Sequence, residues 1–185
     1  MAKAKCVTMP DKDMAPSPGQ ARLPSRQFWA WIGLAAFIVG LDQWTKQYFD
    51  TNLFYQERWN ILPFFDFTLV YNPGAAFSFL AGGQGWQRWF FVGIAAVATV
   101  FIVTMLRRSA KQPLFCLSLS LILGGAIGNV ADRLMHGHVV DFLLFYWNQS
   151  YFPAFNIADV AISCGAALLV LDEFMRMRRN KRQRS

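Results

Sequence analysis

Four long apolar runs restrict this chain more than anything else in it. They lie at about residues 28–48, 86–106, 114–131 and 156–175. Each approaches the ~20 residues that an α-helix needs to cross ~30 Å of hydrocarbon. Trp29, Trp31, Trp44, Trp86 and Trp89 fall near the ends of these runs, where amphipathic rings prefer the membrane interface. With 55% hydrophobic and 16% aromatic residues, a 185-residue chain is too apolar to be an ordinary soluble domain. The expected fold class is an all-α polytopic membrane protein of four transmembrane helices, with a small β element on the outer side.

The formal charge of +7 would fit a nucleic-acid surface if it covered one face, but it does not. Fourteen of the 18 basic residues fall in three blocks: before Phe28, in Arg107–Lys111 and in Arg176–Arg184. No nucleic-acid partner is expected. An even number of spans puts all three blocks on one side, and the excess of positive charge marks that side as cytoplasmic. Both termini then face the cytoplasm, and segments 49–85 and 132–155 face outward. The expected division is a disordered tail at 1–27, a membrane domain at 28–176 and a basic cytoplasmic tail at 177–185. The first apolar run has no AxA-type exit, so it reads as a retained anchor. Cys6, Cys116 and Cys164 have no spacing that implies a disulfide framework or a metal site. No internal repeat marks an inverted-repeat transporter.

The first outer segment carries FFDFTLVY at Phe64–Tyr71, aromatic and β-branched, followed by a turn signal at Asn72–Gly74. A strand followed by a return strand at Ala75–Leu80 is predicted there.

Carboxylates at membrane depth cost roughly 2.5–3.5 kcal/mol, so those that occur there usually serve a purpose. Asp141, in GHVVDFLLFYW, follows the third run by about ten residues, and Asp159 opens the fourth. Both therefore reach the outer face at one depth. Two neighbouring carboxyls share a proton, because repulsion and desolvation raise one of the pair. One member then activates water while the other donates to a carbonyl oxygen. The first helical turn favours charge on Asp159, and an aromatic, less ordered surrounding favours the proton on Asp141. A proton relay or polar helix packing would place the same residues equally well.

Other polar residues have simpler readings. Asp42 and Lys46 are four apart in a helix and pair on one face. Asp132 forms an ion pair with its neighbour Arg133. Asp66 faces solvent, and Asp172 and Glu173 are interfacial. Ser78, Ser118, Ser120 and Ser163 pack or bond to backbone. His136 and His138 have no metal-ligand context, and no metal or cofactor is expected.

Five signatures stand in order: DQWTK (Asp42–Lys46), NPGAAFS (Asn72–Ser78), GNVADR (Gly128–Arg133), VVDF (Val139–Phe142) and FNIAD (Phe155–Asp159). Together they closely resemble the lipoprotein signal peptidase (signal peptidase II) family over about residues 28–176. The resemblance implies an intramembrane aspartyl endopeptidase of the bacterial inner membrane, with its active site near the periplasmic face. Its expected substrates are diacylglyceryl-modified prolipoproteins, cut just before the lipidated cysteine. Membrane lipids and a globomycin-type inhibitor at the dyad are the other partners it implies. On this resemblance Asp141 and Asp159 are the catalytic pair. Asn72, Asn129, Arg133 and Asn156 position substrate and support the dyad, while Asp42, Lys46 and Asp132 are structural. The strand at Phe64–Leu80 is placed to clamp an extended substrate. The alternative, a small proton-coupled transporter, requires deeper carboxylates and internal symmetry. A non-enzymatic scaffold would use the same polar motifs for packing alone.

Overall fold

The structure, a computed structural model, describes residues 25–74 and 86–184. The expected disordered tail before residue 25 and the return strand at 75–80, with Ser78, lie outside the described residues. In chain order the elements are α1 (Arg26–Asn52), β1 (Arg58–Leu62), β2 (Phe65–Asn72), α2 (Trp86–Ser109), α3 (Pro113–Met135), β3 (Val139–Trp147), β4 (Ser150–Tyr151) and α4 (Ile157–Arg184).

Local chemistry sets the helix starts. The Ser25 hydroxyl accepts the Phe28 N–H at 3.2 Å and caps α1. Pro113 opens α3, where a missing N–H costs nothing. Helix α3 is the hub, packed against α1, α2 and α4. Its small residues allow that approach: a Cβ on Gly128 would fall 2.5 Å from Asp42 Oδ2, and one on Gly125 would strike the Ala158 carbonyl. Lengths and compositions of α2 and α3 suit membrane crossing. Helices α1 and α4 are as long but less uniformly apolar, because α1 carries Asp42 and Lys46 and α4 carries Asp159, Asp172 and Glu173. Large apolar side chains on the outer surface, Val97, Val100, Phe101 and Phe37 among them, are more than 60% exposed. A surface of that kind fits lipid rather than water.

The four strands form one antiparallel run in the order β1-β2-β3-β4. Residues 139–147 are thus a strand rather than the less ordered segment the sequence implied. Strand β2 pairs with β1 on one side and with β3 on the other, so the sheet draws on both of the segments 49–85 and 132–155. Between the pairs Phe67–Leu143 and Val70–Asp141 the register slips by one residue, placing a bulge beside Asp141. Bulges re-aim side chains and locally increase twist. Beneath the sheet Phe49 of α1 stacks on Phe142 at 4.4 Å and packs against Phe67 at 4.7 Å. These rings, with Leu53, Leu69 and Val140, fasten the sheet to the end of α1.

Asp66 does not face solvent. It is 4% exposed and accepts a hydrogen bond from Asn60 Nδ2 at 2.8 Å. The Ser118 and Ser120 hydroxyls bond to backbone carbonyls within α3, as expected.

Candidate active site

One backbone contact brings the two distant aspartates together. Phe155 N–H donates to the Leu143 carbonyl, and the Phe155 carbonyl accepts from the N–H groups of Phe142 and Leu143. This short bridge docks the start of α4 against β3. Asn156 then caps α4: its Oδ1 accepts the Asp159 N–H at 3.0 Å, while Asp159 Oδ2 receives the Asn156 N–H at 3.4 Å. That reciprocal pattern is a capping box with aspartate in the third helical position. The spacing Asn156-x-x-Asp159 was visible in the sequence, and it fixes the Asp159 side chain at the edge of the sheet.

Asn156 also joins the two carboxyls. Its Nδ2 donates to Asp141 Oδ1 at 2.7 Å. Asn72 at the end of β2 donates to the other oxygen, Asp141 Oδ2, at 3.1 Å, while its own Oδ1 accepts the Gly74 N–H at 3.0 Å. Asp141 is 2% exposed and Asn156 is fully buried. Asp159 is half-buried and takes a further hydrogen bond from Asn129 Nδ2 at 2.8 Å. Burial, and next the neighbouring Asp159 charge, push the Asp141 carboxyl up to about 7, against the pull of the Asn72 and Asn156 hydrogen bonds and the Lys46 charge. Asp141 and Asp159 face a common cavity of about 490 Å³, walled also by Asn72, Asn129, Arg133 and the apolar Val160 and Ile162.

Behind this pair sits a second polar cluster. Lys46, 3% exposed, lies 2.7 Å from Asp42 Oδ2 and 2.9 Å from Asp132 Oδ2, and donates to Asn129 Oδ1 at 2.9 Å. Three acceptors satisfy its three N–H bonds. With its oxygen held by Lys46, Asn129 must turn its NH₂ toward Asp159. Asp42 Oδ1 accepts the Ala158 N–H at 2.9 Å, and Asp132 Oδ2 accepts the Val140 N–H at 3.2 Å. The expected pairing of Asp42 with Lys46 is present. The expected pairing of Asp132 with Arg133 is not, because successive helical residues point in different directions.

Arg133 instead donates to the Asn129 carbonyl at 3.1 Å and to the Gly74 carbonyl at 2.8 Å, with its guanidinium over the Phe91 ring. It ties the turn after β2 to the C-terminal end of α3. Sequence reasoning missed Gln43, whose Nε2 donates to Asp132 Oδ1 at 2.6 Å and to the Gly128 carbonyl at 3.2 Å. Its place inside DQWTK was the available signal.

Comparisons with known proteins agree on one family. The family described as signal peptidase (SPase) II matches residues 34–175. A lipoprotein signal peptidase of Cupriavidus necator is 53% identical over 150 residues, covering 81% of this chain and 86% of the relative. The Neisseria meningitidis serogroup C protein of that name is 50% identical over 153 residues, covering 82% and 93%. A bacterial membrane enzyme solved by the in meso method at 2.3 Å resolution superposes with a TM-score of 0.73 at 30% identity, covering 80% of this chain and 90% of that one. The chain therefore belongs to the signal peptidase II family.

Proposed function

We propose that this protein is a lipoprotein signal peptidase in which Asp141 and Asp159 form an aspartyl dyad. The observation that carries the reading is that Asn156 donates to both carboxyls, through Nδ2 to Asp141 and through its backbone N–H to Asp159, on the wall of one cavity. The substrate is a diacylglyceryl-modified prolipoprotein, cleaved just before its lipidated cysteine. Four apolar runs support four spans, and the basic blocks at residues 107–111 and 176–184 support cytoplasmic termini and a dyad at the periplasmic face of the inner membrane. Helix α1 crosses with Asp42 and Lys46 turned inward, where both are buried. The lipid chains of the substrate remain among membrane lipids while the peptide enters the cavity.

Asp141, buried and raised toward neutrality, holds the proton and donates it to the scissile carbonyl oxygen. Asp159, at the positive end of α4, takes a proton from water as its oxygen attacks the carbonyl carbon. Collapse of the diol breaks the C–N bond. The cysteine amine leaves with the proton held by Asp159, and Asp141 recovers one from the diol. Asn72, Asn129 and Asn156 supply donors fixed before substrate arrives, so no reorganisation is needed during the reaction. Arg133 holds the turn at Gly74 beside the site. Asp42, Lys46 and Asp132 brace Asn129 from behind. A globomycin-type inhibitor would occupy the same cavity and contact the same carboxyls.

A gel-shift assay on purified diacylglyceryl-modified prolipoprotein, run in chelator, tests the reading. Wild type cleaves, while Asp141→Asn and Asp159→Asn remain folded and inactive. Near wild-type cleavage by either variant would overturn the dyad.

A further inference from the structure

Among the described residues a second opening meets the cavity along α4 at Asp141. It is a groove of about 710 Å³ that leaves the same carboxyl in the direction of the sheet. Asn72, Asp141 and the Phe152–Ala154 stretch wall both spaces. Beyond that shared wall the linings diverge. The first space follows α4 past Val160 and Ile162 to Cys164, on the side of the apolar helices. The second is bounded by Gln56, Arg58, Thr68 and Tyr151, all from the outer segments.

A peptide cleaved at Asp141 must have its two ends on opposite sides of the shared wall. The apolar end matches the space along α4, and the end that leaves the membrane matches the groove over the sheet. Arg58 stands over the Tyr151 ring at 4.7 Å, and among the described residues it has no carboxylate within ion-pair distance. Strand β1 pairs with β2 only as far as Arg58–Thr68, so Val70–Asn72 continue toward the dyad without β1 beside them. We propose that this groove is the subsite for the substrate residues that follow the cleaved bond. Arg58 makes it prefer acidic over basic side chains there. The inference rests on cleavage occurring at the Asp141–Asp159 dyad.

Three diacylglyceryl-modified substrates test it: one ending one residue after the cysteine, and two extended by five residues carrying either two aspartates or two lysines. Arg58 is exposed and outside the catalytic machinery, so Arg58→Glu should fold normally. It is expected to raise KM for the aspartate substrate by roughly three- to tenfold, as for a reversed surface ion pair. KM for the lysine substrate should fall, the short substrate should be unaffected, and kcat should hold throughout. Arg58→Gln gives a smaller change in the same direction. If all three substrates shift together, or the two extended ones respond alike, the groove assignment is wrong. Asp141→Asn assayed on the short substrate separates the two levels, since retained cleavage there would remove the dyad instead.

Discussion

Two pairs of aspartates lie within the same few turns of this molecule and are treated in opposite ways. Asp42 and Asp132 enclose Lys46, accept backbone N–H groups from Ala158 and Val140, and are closed off from solvent. Among the described residues Asp141 and Asp159 form no ion pair, and Arg133, on the wall of their cavity, donates to backbone carbonyls instead. Only asparagine amides and helix-start N–H groups hold the two carboxyls, and they look onto a cavity. The first pair shares one cation and is sealed from solvent. In the second, burial and then the neighbouring charge of Asp159 push Asp141 up to about 7. Asp141 acquires acid–base chemistry through burial first and the neighbouring Asp159 charge second, with no ion pair formed to offset them.

The largest way to break this contrast is at the open pair. Asp159→Asn should lower kcat by about three orders of magnitude or more, the scale of losing a catalytic group that acts as a unit with its partner. Single-turnover cleavage with excess enzyme measures it. Next comes the sealed pair. Lys46→Met strands two buried carboxylates and should destabilise the fold by about 3–5 kcal/mol, read as a lowered Tm in detergent.

The pH dependence sharpens the difference. The folded value for Asp141, about 7, lies above its ordinary 3.8, so the native state binds more protons between those limits. The stability this group contributes is therefore present below pH 4 and lost as pH rises through 7. Asp141→Asn removes the effect, so its Tm relative to wild type should climb from pH 5 to pH 8, by the equivalent of roughly 3 kcal/mol. A gap that stays flat would mean that Asp141 is not held protonated. Wild-type kcat/KM should correspondingly fall above about pH 7 as the acid is lost. The smallest effect is at the link between the pairs. Asn129→Ala removes one hydrogen bond to a charged carboxylate and should cost roughly 10- to 100-fold in kcat, with KM little changed.

The sequence made the four long helices legible, because apolar runs are local signals. It placed the Asp42–Lys46 pair correctly for the same reason: helical spacing of four is local. The errors fall where partners are remote. VVDFLLFYW has no alternation, since β3 is buried over most of its length, and nothing nearby in the chain announces that β2 is its neighbour. Asp132 was assigned to Arg133 by adjacency, although its true partner lies 86 positions earlier at Lys46. Asp66 was read as exposed because the Asn60 amide that satisfies it comes from the other strand of a bulged pair. The capping box of Asn156 and Asp159 was a further feature of the site that sequence spacing could have supplied.

Purifying Asp141→Asn and Asp42→Asn side by side, and measuring Tm and prolipoprotein cleavage for each at pH 7, addresses the central contrast most directly. Asp141→Asn should be inactive with an undiminished Tm, whereas Asp42→Asn should lose Tm first and activity only as folding fails. An active Asp141→Asn, or an Asp42→Asn variant that is fully stable yet inactive, would contradict the division between the open and the sealed pair.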